Sequence, residues 1–133
     1  MTSKIVYEGN LRTRMTHTYS GTEVLTDAPL DNQGMAQAFS PTDIVAAALG
    51  SCMLTIMGIK ARDMNLELKG TELEVTKIMA SDPRRISEVH ISFKFPANSF
   101  SDKEKNILEH AARTCPVAKS LHPEIKQEIA FAW

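Results

Sequence analysis

From Ser3 to Asp27 the chain runs in short alternations of β-branched or aromatic residues with polar ones, broken by turn residues. "SKIVYEGN" and "RTRMTHTYS" meet at a Gly-Asn pair, and Gly21 precedes "EVLTD", so the pattern predicts three strands in an antiparallel meander. Asp27 to Phe39, "DAPLDNQGMAQAF", holds Pro, Asn and Gly without a period. It reads as an irregular loop, of a length that often carries function.

The period then changes. In "SPTDIVAAALGSC", Ser40 is a good N-cap, Pro41 suits the first helical position, and Asp43 stands where a capping-box carboxylate reaches back. No strong breaker follows before Asp63, which predicts one long helix. Its apolar residues (Ile44, Val45, Leu49, Met53, Leu54, Ile56 among them) fall on nearly every face. Such a helix is buried on more than one side. A single sheet covers one face, so a second body, such as another subunit, is expected on the other.

Strand patterning resumes in "LELKGTELEVTKIMA" and, after the break at "SDPRR", in "ISEVHISFKFP". Val89, Ile91, Phe93 and Phe95 share one face of the latter; His90, Ser92 and Lys94 take the other, as in a half-buried antiparallel strand. Ser101 to Glu104 is a capping box for a second helix with an apolar stripe of Ile107, Leu108, Ala111 and Ala112. In "TCPVAKSL", Pro116 suits the start of a short helix capped by Thr114 or Cys115, and "EIKQEIAFAW" reads as a last strand. The order β-β-β-α-β-β-α-β segregates strands from helices, which makes the class α+β, and residues 1–133 read as a single domain.

Composition narrows the function. A formal net charge of −1 with scattered basic residues leaves no electrostatic footprint for nucleic acid, and Arg84–Arg85 in "SDPRRIS" reads as a solvated turn. "MTSKIVYEGN" has no long apolar core of a signal peptide, and the apolar stretch from Ile44 to Ile59 is shorter than the ~20 residues of a membrane span. Two cysteines are too few for a secreted disulfide scaffold, so the expectation is a cytoplasmic protein without membrane attachment.

The chemistry rests on those cysteines, Cys52 and Cys115, which stand 63 positions apart. A reactive thiol needs a thiolate, and a thiolate needs positive charge, a helix N-terminus or hydrogen-bond donors. Cys115, just before a Pro-initiated turn, has such a source in the helix start. Cys52 lies mid-helix and would need a cation from elsewhere; as a small apolar residue it could equally fill the core. Arg12 and Arg14 alternate on one strand face, where they are either solvated or available to a thiolate or peroxide oxygen. His17, His90, His110 and His122 show no zinc-ligand spacing, and the chain has no C-x-x-C, so no metal or cofactor is expected. Nucleotide-binding glycine motifs and G-x-S-x-G are missing as well.

Taken together, "SPTDIVAAALGSC" and "CPVAKSL" resemble the paired signatures of the OsmC/Ohr family of thiol-dependent peroxidases. The family pattern is a Pro, a carboxylate near the helix start, a small apolar run and a cysteine eleven positions after the Pro, as from Pro41 to Cys52. A second cysteine follows in a C-P pair before the last strand, as Cys115–Pro116 does. The resemblance spans essentially the whole chain. It implies an intertwined homodimer with central helices packed together and an antioxidant, stress-response activity on organic hydroperoxides. Cys52 would be the peroxidatic thiol and Cys115 the resolving one, with turnover through a Cys52–Cys115 disulfide and an external lipoyl-type dithiol reductant. Well-characterised members place a Glu directly after the Pro, paired with an Arg beside the thiolate. Here that position is Thr42 and the carboxylate is Asp43, about 100° further round the helix. The same fold could instead serve as a small-ligand (lipid-like) binding module or a thiol redox sensor.

Overall fold

A computed structural model describes residues 1–133. It is α+β, with two three-stranded sheets and helices. The chain separates into two compact units, Met1–Val45 and Ala46–Trp133.

In the first unit β1 (Ser3–Gly9), β2 (Arg12–His17) and β3 (Glu23–Asp27) form the predicted antiparallel meander in the order β1-β2-β3. Asn10 and Leu11 take positive φ in the first hairpin, and Gly21, at φ +73°, turns the chain into β3. Successive residues of β1 point to opposite faces. Ile5, Val6 and Tyr7 are nevertheless 60%, 47% and 63% exposed, so neither face of this strand is covered within the chain. The loop after Asp27 is irregular apart from one 3-10 turn at Leu30–Asn32. It returns to the sheet through the Asp27 amide, which donates to the Phe39 carbonyl at 3.0 Å.

Helix α1 (Pro41–Asp63) begins as its sequence predicts. The Asp43 amide donates to Ser40 Oγ at 3.1 Å and the Ser40 amide to Asp43 Oδ2 at 2.8 Å, a complete capping box. Most of α1 belongs to the second unit. There β4 (Glu72–Ser81), β5 (Arg84–Lys94) and β6 (Lys126–Ala132) form a sheet in that order, with α2 (Asp102–Arg113) and α3 (Pro116–Ser120) between β5 and β6. The core joins Leu49, Met53 and Met57 of α1 to Val89, Ile91 and Phe93 of β5 and Leu108 of α2, all 0% or 1% exposed. By length and composition α1 could cross a membrane, its most apolar window having a mean hydropathy of 1.8. Its Leu49–Met53–Met57 face, however, is packed in this core.

Two expectations are corrected. Residues Leu66 to Thr71, read as the start of a strand, instead turn: Gly70 has φ +89° and the Thr71 amide donates to the Leu68 carbonyl at 3.0 Å. Alternation there reflects a half-buried turn in which Leu68 alone is buried. The second correction concerns the sheet, which is not wholly antiparallel, since β6 pairs parallel to β5 (Ile91 opposite Ile129). A parallel neighbour needs a crossover, which α2 and α3 supply.

Gly50 sets how closely α1 sits on this sheet. A Cβ there would lie 3.1 Å from Val75 Cγ2 and 3.4 Å from Leu73 Cδ2. Replacing Gly50 by Val drives two methyl groups into β4. We expect a loss of about 1–3 kcal/mol in denaturant unfolding, the ordinary cost of overpacking, whereas Gly58→Ala, where an added Cβ meets nothing within 4 Å, costs nothing measurable.

Candidate active site

Cys52 lies two residues past Gly50 on α1, half-buried beside the core. Cys115 ends the connection from α2 to α3 and is fully buried. It caps α3: its backbone is extended, Pro116 follows as the first helical residue, and its Sγ accepts the Ala118 amide at 3.4 Å. Both flanks of Cys115 are tied to β6. Arg113 Nη2 donates to the Ile129 carbonyl at 3.1 Å and its guanidinium lies 5.2 Å over Phe131. Gln127 Nε2 donates to the Ala118 carbonyl at 3.2 Å. The packed sheet thus fixes where the second sulfur stands.

The two cysteines, distant in sequence, meet. Both are free thiols, and Cys52 lies near enough to Cys115 to bear on its titration. Burial is the largest influence on Cys115 and pushes its thiol above the usual range. The Ala118 and Val117 amides at the helix start oppose this, and Cys52 adds to it. Cys115 is therefore a thiol that keeps its proton, and the half-exposed Cys52 is the one that an external molecule can reach.

Arg12 and Arg14 differ more than their shared strand face implies. Arg14 is clamped between two carboxylates, its Nε donating to Glu8 at 2.6 Å and its Nη1 to Glu23 at 2.8 Å. These hydrogen bonds raise its pKa further. Arg12 uses a single nitrogen: Nη2 donates to Asp27 Oδ2 at 3.0 Å and to Gln37 Oε1 at 2.8 Å. Asp27 also accepts the Gln37 amide at 3.1 Å. Its carboxyl is held below the usual range, first by the Arg12 hydrogen bond and then by the Gln37 amide, against its own burial. Neither Asp27 nor Gln37 stood out in the sequence. The available signal was register, because Arg12 and Asp27 are direct partners across the β2–β3 pair.

The other candidates have local partners. Asp43 closes the capping box of α1. His17 pairs with Ser20, His90 with Glu88, and His122 Nδ1 accepts the Glu124 amide, while no group of His, Cys, Asp and Glu has the arrangement of a metal site. Starting one turn beyond Cys52 and ending at the residue before Cys115, a groove of about 840 Å³ runs between α1 and α2. Ile56, Ile59, Ile107 and Ala111 give it an apolar floor, rimmed by polar side chains such as Lys60, Asp63, Lys103 and His110.

The family model for OsmC-like proteins matches residues 33–130, the segment that holds α1, both cysteines and the whole second sheet. The chain belongs to the OsmC-like family. It is 56% identical to a Psychrobacter arcticus 273-4 protein of known structure described as an osmotic stress induced and detoxification response protein. That match covers 98% of this chain and 95% of the other, with a TM-score of 0.94. An organic hydroperoxide resistance protein OsmC from Legionella pneumophila shares 14% identity over 100% of this chain and 98% of its own, with a TM-score of 0.74. One from Elizabethkingia anophelis shares 13% over 99% and 96%, with a TM-score of 0.72. These two share the OsmC-like fold with this chain. No curated protein matches it.

The Cys115 environment has a consequence for stability. A thiol whose folded pKa is raised binds its proton more tightly when folded. Its contribution is complete below the unfolded value, about 8.5, and is lost as pH rises through the higher folded value. Under reducing conditions, denaturant midpoints of the wild type should fall across that window, and Cys115→Ser should show a shallower decline.

Proposed function

We propose that this protein is a thiol peroxidase that reduces organic hydroperoxides. The observation that carries the reading is the meeting of a half-exposed and a buried thiol from segments far apart in the chain. Cys52, as thiolate, attacks the distal oxygen of ROOH; the O–O bond breaks, and the alkoxide leaves with a proton as ROH. Cys52 is then a sulfenic acid. The Cys115 sulfur displaces its hydroxyl, water leaves, and a Cys52–Cys115 disulfide forms. An external dithiol, of the lipoyl type by family resemblance, reduces that disulfide by exchange and supplies the two electrons. Family resemblance also calls for an arginine to support the thiolate; Arg12 and Arg14 are the candidates, and each is already paired with carboxylates on its own sheet. The apolar residues packed around the thiols, Met53 and Leu54 among them, favour an alkyl hydroperoxide over hydrogen peroxide.

The working form is assigned as a homodimer, and its setting as the cytoplasm. Exposed Ile5, Val6 and Tyr7 on both faces of β1, and Ile59 on α1, are the apolar surfaces a second copy would cover. Sedimentation equilibrium should give twice the 14.7 kDa chain mass at micromolar concentration; a monomer there overturns the dimer.

A second reading keeps the fold without turnover. The groove between α1 and α2 could hold a lipid-like ligand, which native mass spectrometry of the purified protein would reveal. Kinetics separate the two. With cumene hydroperoxide and a dithiol, Cys52→Ser should lower turnover at least about a thousandfold. Cys115→Ser should stop dithiol-coupled turnover while still forming a dimedone-reactive sulfenic acid. Wild-type rates in both folded variants would end the peroxidase reading.

A further inference from the structure

Gln127 breaks the pattern of its strand. Alternate residues of β6 turn toward the core, and the parallel register sets Gln127, Ile129 and Phe131 opposite Val89, Ile91 and Phe93 of β5. Among these side chains only Gln127 is polar. Its amide has a specific partner, Nε2 donating to the Ala118 carbonyl at 3.2 Å. Ala118, itself buried, is bonded in both directions: its amide donates to Cys115 Sγ at 3.4 Å, and its carbonyl takes the Gln127 amide. Inside α3 the Lys119 amide goes to the Cys115 carbonyl and the Leu121 amide to that of Val117. The Ala118 carbonyl, near the end of so short a helix, is satisfied from outside it. One relay thus runs from a strand side chain, through a single residue, to the buried sulfur.

We propose that Gln127 is a positioning residue for the resolving thiol: by holding α3 through Ala118, it keeps the Cys115 sulfur within reach of Cys52. The inference rests on the reading that Cys115 resolves a Cys52 sulfenic acid. In that step the Cys115 sulfur attacks the sulfenic sulfur and the S–O bond breaks. The hydroxide leaves with the thiol proton as water, so no outside oxidant is consumed. Such a displacement depends on the distance and angle at which the two sulfurs meet, and a small misplacement slows it steeply. A helix of five residues is too short to hold itself, so the seat of α3 comes from β6. On the other side of Cys115, Arg113 fixes the end of α2 by donating to the Ile129 carbonyl at 3.1 Å. The two anchors bracket the sulfur from one strand, and loss of the Gln127 amide frees the α3 side alone.

The test uses Gln127→Met, which keeps the volume and removes the donor, and Gln127→Asn, which keeps the amide on a shorter stem. Each is made in the full chain with its Tm measured, and Gln127→Asn decides where Gln127→Met does not fold. The first readout needs no peroxide. It is the rate of Cys115 alkylation by iodoacetamide in a Cys52→Ser background, set beside that of Cys52 in a Cys115→Ser background. Cys115 alkylation should rise about threefold to tenfold, as when one hydrogen bond holding a buried group is lost, and Cys52 alkylation should stay at its wild-type rate. The second readout keeps both cysteines and supplies one equivalent of cumene hydroperoxide in the presence of dimedone. Resolution should slow about tenfold, so a larger fraction of Cys52 is trapped by dimedone instead of closing the disulfide, while peroxide is consumed at the wild-type rate. A wild-type rate of Cys115 alkylation in a folded variant overturns the proposal. So does an equal rise at both cysteines, which marks general loosening, or a wild-type trapped fraction in a variant that consumes peroxide. A wild type that consumes no peroxide overturns the peroxidase reading alone, and the alkylation rates then decide the seat of Cys115.

Discussion

With no side chain at position 50, the α1 backbone lies close against Val75 and Leu73 of β4, and the geometry of the second unit is measured from that contact. The close approach puts Leu49 and Met53 into full burial against β5 and leaves Cys52, on the adjoining stripe, at the edge of the core. The other sulfur is brought in by a different route. α2 and α3 cross over the same sheet to deliver β6, and Cys115 stands at the break between them. Two long-range constraints, one on a helix and one on a crossover, therefore converge on a pair of thiols. Neither constraint depends on a disulfide, and both cysteines are free.

Charge is distributed around this frame with a division of labour between two acids. Asp43 stabilises the start of α1 by closing the box with Ser40. Asp27 holds an arginine from a buried position. In the sequence, Asp43 read as the capping carboxylate of α1, one position past the place where relatives carry Glu. Its hydrogen bonds to Ser40 give it a helix-capping role, and the buried carboxylate paired with an arginine lies instead at the end of β3.

What could be read in the sequence was whatever is decided within a few residues. Both capping boxes, the Cys115–Pro116 cap, the apolar face of β5 and the limits of α1 follow from local periodicity and hydrogen-bonding chemistry, and the structure has them. The parallel pairing of β6 was not legible, since strand direction is set by a crossover of two helices and leaves no mark within "EIKQEIAFAW". The turn at Gly70 was missed because polar–apolar alternation of a half-buried turn mimics that of a strand. The Arg12–Asp27–Gln37 ring joins residues 15 and 25 positions apart, one of them inside an aperiodic loop. Family resemblance named the thiols, but the partners of each arginine needed coordinates.

The aromatic end of the sheet carries a practical consequence. Trp133, the only tryptophan, stacks on Phe95 with ring centroids 3.7 Å apart, meets Phe100 edge-on, and donates from its indole nitrogen to Glu109 of α2 at 2.8 Å. One fluorophore thus touches the end of β5, the entry to α2 and the residue following β6 at once. Its emission is an optical gauge of whether crossover and sheet are docked, free of interference from any second indole, and it follows the second unit without reporting on the β1–β3 meander.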